Sequence, residues 1–213
     1  MPTNAEYLAR VTLFSELATH RLEALGAACQ RRQVDPGTTI LREGEVGNAL
    51  YIVVGGLVRI ERNSDRGDTH VLAIRESGQA IGEMALIENR PRSANAIAQT
   101  TTRLLELSRE SFRAQLMTDP EICFALLQSL AGRLRESGQL IVDRRSKRVE
   151  ARLAEFLKLR ADAGGRIAVP MNQSELADVV GCTREALNRA IRLLTDQKVI
   201  EKIGPTEFQW LQM

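Results

Sequence analysis

"GEMALIENRPRSA", residues 82–94, sets the apolar Met84, Ala85 and Leu86 between two clusters of glycine and charge. Gly82-Glu83 opens the segment and Arg92-Ser93 closes it, with the arginine nine residues after the glutamate. Two readings compete: an anion pocket that holds a small ligand, or a turn-helix-turn crossing between two strands. The flanking sequence has to decide.

From Gln33 to about Leu107 the chain is a series of short β-branched runs, chiefly "TTIL", "ALYIVVGGLVRIER", "THVLAI", "SANAIA" and "TRLLELS". Turn signals separate them at Asp35-Pro36-Gly37, Gly44–Gly47, Gly55-Gly56, Asn63–Gly67 and Ser77-Gly78. Many short strands without long helices between them predict an antiparallel barrel or roll. "EMALIENR" is the one interruption, long enough for a turn or two of helix. The first thirty residues read as helical, with Leu17, Leu22, Leu25 and Cys29 at helix spacing and Ser15 as N-cap.

From Asp119 the pattern is helical for about forty residues. Cys123, Leu127, Leu130, Leu134, Ser137 and Ile141 alternate steps of four and three, a heptad seam whose economical partner is the same helix of a second subunit. Arg144–Arg148 ("RRSKR") breaks the seam as a hinge, "VEARLAEFLKL" begins a new helix, and "AGG" at 163–165 ends it.

"MNQSELADVVGCTREALNRAIRLLTDQKVI" (171–200) has the layout of a helix-turn-helix. Asn172 caps a short helix with Leu176, Val179 and Val180 inward, and Gly181 supplies the turn. Thr183 caps a second helix with Leu187, Ile191 and Leu194 inward. Arg184, Glu185, Asn188, Arg189 and Arg192 are left on or near its outer face. The first turn of such a helix reaches base edges in the major groove. Arginine bonds guanine bidentately and glutamate accepts from cytosine, each good bidentate pair giving roughly 1–3 kcal/mol of discrimination. "VIEKIGPTEFQWL" then reads as two strands around Gly204-Pro205, a wing that holds the DNA backbone through Lys198 and Lys202.

Composition fits this plan. An apolar fraction of 44% and a charged fraction of 26% are those of an ordinary soluble chain. No apolar run has the length of a membrane span, and the N-terminus lacks a signal-peptide core, so a cytoplasmic protein with no membrane partner is expected. Three widely spaced cysteines, Cys29, Cys123 and Cys182, argue against a disulfide framework, and with only His20 and His70 besides, no metal is expected. The net charge of +2 divides unevenly: residues 1–143 carry a balance of −2 and residues 144–213 a balance of +4, which places a polyanion partner at the C-terminal end. The sequence offers no nucleophile–base pair, metal-ligand cluster or P-loop, so an enzyme is not expected.

These motifs together resemble the Crp/Fnr family of transcription regulators over nearly the whole chain. The resemblance implies an α+β fold with three parts. They are a cyclic-nucleotide-binding, jelly-roll-like β-roll over 1–118, a dimerisation helix and hinge over 119–146, and a winged helix-turn-helix DNA-binding domain over 147–213. "GEMALIENRPRSA" is similar to the family's phosphate-binding cassette. Glu83 would then take the ribose 2′-hydroxyl and Arg92 the cyclic phosphate. Ser93 and the backbone amides around Gly82, Met84 and Ala85 would take the other phosphate oxygens. The spacing, with Pro91 before the arginine, is closer to that of eukaryotic kinase regulatory domains. Arginine's planar fork suits the two free oxygens of a cyclic phosphodiester, and a carboxylate belongs on the sugar side because it would repel phosphate.

"GCTREALNR" resembles the recognition helix, with Arg184, Glu185 and Arg189 at the positions that read a TGTGA-like half-site. Where cyclic AMP-binding members have two neighbouring hydroxyls facing adenine, this chain has Ser137-Gly138, keeping the first and losing the second. Cyclic AMP is the first choice of effector, with cyclic GMP or no effector as alternatives. The implied partners are double-stranded DNA, a second copy of the chain, the cyclic nucleotide, and RNA polymerase, which family members contact through the loop corresponding to Ala161–Arg166. Two other functions stay open: a family-type regulator that binds DNA without a nucleotide, and a nucleotide-sensing subunit that binds no DNA.

Overall fold

The run Ala49–Val53 lacks polar alternates because its strand is covered on both faces. Leu50 and Ile52 point into one apolar cluster, while Ala49, Tyr51 and Val53 point into another. This strand organises the first of two compact units, Met1–Arg135 and Glu136–Met213. The computed structural model describes residues 2–11, 14, 15, 17–64 and 68–211, with the backbone alone for Ser129, Glu136, Leu140, Arg144 and Arg145.

In chain order the first unit runs α1 (Asn4–Leu8), α2 (Thr19–Ala27), β1 (Cys29–Val34), β2 (Thr39–Leu41), β3 (Ala49–Gly55) and β4 (Val58–Asn63). It continues with β5 (Thr69–Arg75), β6 (Ala80–Ile81), α3 (Glu83–Ile87), β7 (Asn95–Ala98), β8 (Thr102–Ser108) and α4 (Arg109–Thr118). The long α5 (Pro120–Ser146) runs through the division between the units. Two antiparallel four-stranded sheets form, ordered β1-β8-β3-β6 and β2-β7-β4-β5. Leu50 lies opposite Leu107 and Ile52 opposite Leu105, so the helix-side core is zipped along β3 and β8. In the other sheet Ile60 is flanked by Ala73 and Ala96. The segment 82–94 is the crossing from β6 in one sheet to β7 in the other, with α3 as its turn and a half of helix.

The expected roll is present, and several local readings need correction. The first thirty residues are not one helical stretch. Thr3 caps α1, in a capping box with Glu6, and Ser15, read as an N-cap, lies in a turn ahead of α2, which has no side-chain cap. Cys29 opens β1 instead of closing a helix. β1 is an edge strand paired only with β8, and its exposed Gln30–Gln33 hide any alternation. The stretch between Leu107 and Asp119, read as no element, is α4, capped by Ser108. Asp119 is extended (φ −131°) between α4 and α5, as the residue before a proline tends to be, and Pro120 begins the next helix where its missing N–H costs nothing.

The second unit holds the end of α5, then α6 (Val149–Lys158), β9 (Arg166–Ala168), α7 (Gln173–Val180), α8 (Arg184–Asp196), β10 (Ile200–Lys202) and β11 (Glu207–Trp210). Leu153, Leu157, Ile167, Leu176, Leu187, Ile200 and Phe208 close its core. α6 ends at Lys158, earlier than the glycines at 164 and 165. Asp162 organises the turn there, its Oδ1 accepting from the amides of Gly164 (2.9 Å) and Arg166 (2.8 Å), while Gly165 takes the left-handed conformation (φ 76°) that leads into β9. β9 is a third strand in the wing sheet, pairing Ile167 with Phe208, and sequence alone gave no sign of so short an element.

Leu105 is fully buried where β8 meets β3. Leu105→Ala should lower the stability of the first unit by about 2–5 kcal/mol, measured as a lower urea midpoint at unchanged slope.

Candidate ligand cavity and nucleic-acid interface

The crossing carries two buried charged side chains, Glu83 and Arg92; Glu61 on β4 is buried as well. Glu83, the first residue of α3, is 3% exposed, and Arg92, just ahead of β7, is 7% exposed. Both line a cavity of about 110 Å³. Gly82, Met84, Ala85 and Ser93 line it as well, so every cassette position singled out in the sequence borders this cavity. Leu41, Ile60, Arg75, Ala96 and Arg133 are among the other residues that line it.

Each of the two charges is held differently. Glu83 is paired by Arg133 of α5, whose Nη1 donates to Oε1 and whose Nη2 donates to the carbonyl of Ala80 at 2.9 Å. The second carboxylate oxygen, Oε2, is buried and has no hydrogen-bond partner among the described residues. An unmet buried acceptor costs free energy, and a ligand hydroxyl would relieve it. Arg92 donates from Nη1 to Gly82 O and from Nη2 to Ala49 O. A guanidinium has five N–H groups, so each terminal nitrogen keeps a donor for an anion. Burial pulls the Arg92 guanidinium below its ordinary pKa, and the neighbouring Arg109 adds to this, while Tyr51, Glu83 and Glu45 oppose it.

Arg92 fits because two glycines leave room. A Cβ at Gly47 would lie 2.8 Å from its Cζ, and one at Gly82 would lie 2.5 Å from its Nη1. Gly82 also has φ 83°, at the start of α3, so a side chain there is strained as well as obstructed. Arg109 braces this cradle from the start of α4. Its Nε and Nη2 donate to Gly47 O at 2.9 and 2.7 Å, and its Nη1 donates to Asn89 Oδ1 at 3.0 Å. Sequence reasoning marked Gly47 only as a turn and missed Arg109, Arg133 and Arg75. A single sequence holds no signal for arginines that converge from three distant elements.

The second unit places the residues of the predicted helix-turn-helix. Asn172 caps α7 in a capping box with Glu175, accepting from the amides of Ser174 (2.9 Å) and Glu175 (3.0 Å). Gly181 takes the left-handed conformation (φ 75°), and Thr183 caps α8 through the amide of Ala186. Leu187, Ala190, Ile191 and Leu194 are buried, whereas Val179 is only half-buried on α7. Arg184, Glu185, Arg189 and Arg192 are exposed and Asn188 is half-buried, leaving a basic outer face on α8. Lys202 is exposed at the end of β10; Lys198 is exposed in a left-handed turn (φ 54°) that closes α8. Cys182 is half-buried beside the turn, and burial raises its thiol pKa.

Along α5 the seam positions divide. Leu127, Leu134 and Ile141 are exposed, by 62%, 75% and 58%, and so are Phe124 and Val142. Leu130 packs partly on the first unit's own core, and the Cys123 thiol donates to Leu116 O at 3.0 Å. Ile122, Ala125 and Leu126 bury this half of the helix against its own domain, which turns Cys123 and Leu130 away from the outer stripe. Ser137 is exposed and belongs to the second unit. Among the described residues, no three His, Cys, Asp or Glu side chains come together as a metal site, and no helix is long and apolar enough to cross a membrane.

Removing Arg133 strands a buried carboxylate. Arg133→Met should therefore destabilise the first unit by on the order of 2–3 kcal/mol, less than a fully buried pair would lose because Arg133 is 26% exposed. Thermal unfolding monitored on the first unit reads this directly, and Arg133→Met paired with Glu83→Met should recover part of the loss.

Comparison with known proteins agrees with this division of labour. Residues 31–119 match the model of the cyclic nucleotide-binding domain, and residues 151–212 match that of the Crp-like helix-turn-helix domain. The chain is 34% identical over 195 residues to the cyclic AMP receptor protein of Thermus thermophilus, covering 91% of this chain and 89% of that one. It is 31% identical over 193 residues to a CRP-like cAMP-activated global transcriptional regulator of Mycobacterium tuberculosis, covering 87% and 86%. Among solved structures, the Thermus thermophilus catabolite activator protein superposes with a TM-score of 0.57 at 33% identity over 93% of each chain. The c-di-GMP-responsive regulator CLP of Xanthomonas campestris shares the fold, with a TM-score of 0.76 at 24% identity over 92% of this chain and 100% of that one. With a nucleotide-binding roll ahead of a Crp-like helix-turn-helix, and relatives matched nearly end to end, the chain belongs to the Crp/Fnr family of transcription regulators.

Proposed function

We propose that the chain is a homodimeric, sequence-specific DNA-binding regulator whose affinity for DNA is set by cyclic AMP. The observation that carries the nucleotide is the pairing of opposites on one cavity. Glu83, whose carboxylate keeps a buried oxygen without a partner among the described residues, borders the same cavity as Arg92, a buried guanidinium with spare donors. Glu83 receives the ribose hydroxyl, and Arg92 with Ser93 receives the cyclic phosphate. A neutral sugar mimic would leave Arg92 unused, and an inorganic anion would leave Glu83 unsatisfied. The names of the relatives from Thermus thermophilus and Mycobacterium tuberculosis support cyclic AMP as the nucleotide.

In this reading Thr183, Arg184, Glu185, Asn188 and Arg189 of α8 read a TGTGA-like half-site, and Lys202 of the wing holds the backbone. The exposed stripe Leu127, Leu134 and Ile141 meets the same stripe of a second copy, with Cys123 and Leu130 at its inner margin. The two copies of α8 then sit about 34 Å apart, one turn of DNA. Ser137 contributes to base recognition, and RNA polymerase is met through the loop 161–166. The parts divide at 1–118, 119–146 and 147–213, and the protein works in the cytoplasm.

Binding to a labelled palindromic TGTGA-type duplex, followed by fluorescence anisotropy, should tighten at least tenfold on adding cyclic AMP; equal affinity at saturating nucleotide overturns the switch and leaves DNA binding standing. Calorimetry should give one nucleotide per chain for the native protein and at least a hundredfold weaker binding for Arg92→Ala. No heat with either protein favours the regulator without an effector. A thermal-shift series with cyclic AMP, cyclic GMP and cyclic di-GMP ranks the ligands, since one that binds only the folded state raises its apparent stability. Arg184→Ala and Arg189→Ala should abolish specific DNA binding at unchanged nucleotide affinity.

A further inference from the structure

A helix that ends in a turn leaves its last carbonyls without intrahelical partners. At the end of α7 two carbonyls, Val180 O and Gly181 O, are taken by one side chain from another helix. Arg152 of α6 donates Nε–H to Val180 O and an Nη2 hydrogen to Gly181 O, both at 3.0 Å. Its third contact goes elsewhere: Nη1 donates to Lys147 O at 2.7 Å. Lys147 lies in the link between α5 and α6. One planar, permanently charged group therefore joins the turn that sets the start of α8 to the backbone of that link.

Lys147 is itself held from two sides. Its Nζ bonds both carboxylate oxygens of Glu155, at 2.8 and 2.9 Å, and lies 3.1 Å from Asp143 Oδ2 near the end of α5. Its amide donates to Asp143 O at 2.9 Å. The link is thus pinned to α5 through Asp143 and to α6 through Glu155, and its carbonyl direction is what Arg152 reads. A rotation of the Lys147 peptide would cost the guanidinium one bond, or pull its fork off the turn. Lysine could not replace it, because a point charge on a flexible stem cannot hold three carbonyls in a fixed plane.

We infer that Arg152 is a positioning residue that couples the α5–α6 link to the turn carrying the DNA-reading helix, so that the backbone at Lys147 sets the placement of Thr183 and Arg184. This rests on the reading of α8 as the DNA-reading helix, and it adds to that reading a route by which the link governs it. The cation also sits at the C-terminus of α7, where positive charge is favoured.

Hydrogen–deuterium exchange on the full-length protein without DNA tests the coupling separately from the function. Arg152→Gln should raise exchange at residues 180–184 and at 147–149 together by at least fivefold, with the rest of the second unit changed less than twofold. Glu155→Gln, which touches only the link, should raise exchange at 180–184 about threefold, and in an Arg152→Gln background it should add nothing there. An unchanged turn in either single variant, or additive effects in the double variant, overturns the inference. In DNA binding, Arg152→Gln should lose at least tenfold in affinity with cyclic AMP and less than twofold without it, and Arg152→Lys should lose as much as Arg152→Gln. An equal loss with and without nucleotide reduces Arg152 to a packing role and overturns the coupling. If native protein shows no nucleotide dependence, the functional reading fails while the exchange measurement still decides the clamp. Should Arg152→Gln not fold, the Glu155→Gln comparison at 180–184 decides it.

Discussion

A carboxylate that is 3% exposed must be paired, and the pairing of Glu83 with Arg133 is the constraint on which the first unit's arrangement depends. It joins the crossing between the sheets to α5, a helix fifty residues further along the chain. Apolar packing alone would let α5 slide over the roll, since side chains of similar size can exchange places on a greasy surface. An ion pair with a second bond to Ala80 O fixes both register and rotation. The same bond leaves the other oxygen of Glu83 buried and without a hydrogen-bond partner among the described residues. In the reading proposed above, the group that anchors α5 is also the group that receives a ligand hydroxyl.

The opposite charge is fixed by a different means. Arg92 is held by backbone carbonyls and by absent side chains, the two glycines that let the guanidinium lie flat against the chain. Arg109 holds one of those glycines, Gly47, by its carbonyl. Backbone contacts of this kind define distance more tightly than contacts between long side chains, because fewer rotatable bonds intervene. A guanidinium held in this way has little freedom left to lose in meeting an anion, as the proposed function asks of it.

How much of this was legible in the sequence follows from how local each feature is. The short helix of the crossing at 82–94, the cap at Asn172, the turn at Gly181 and the cap at Thr183 are all specified within a few residues, and each lies where its sequence pattern places it. β1 was hidden because Gln30–Gln33 are all exposed, and an edge strand with one apolar residue at each end has no period to read. α4 was hidden between a strong strand and a strong helix, its apolar residues too few to announce it. Arg133 and Arg109 could not be singled out at all. Nothing in a lone sequence distinguishes an arginine that reaches a buried carboxylate from one that reaches water. Of the seam positions on α5, Leu127, Leu134 and Ile141 are exposed, whereas Leu130 packs on the first unit's core and Cys123 bonds to Leu116 O, a split that a heptad pattern alone does not carry.

The cavity walls differ in what holds them. On the side of Gly82, Glu83 and Arg92 the shape is drawn by main chain, by glycine and by a charge pair, so almost any replacement breaks it. On the side of Ile60 and Arg75 the lining is drawn by side chains standing on β4 and β5. Substitution at Ile60 or Arg75 should therefore disturb the backbone less than substitution at Gly82. In the reading proposed above, the side that meets the body of the ligand can change while Arg92 keeps its hold on the ligand's charge.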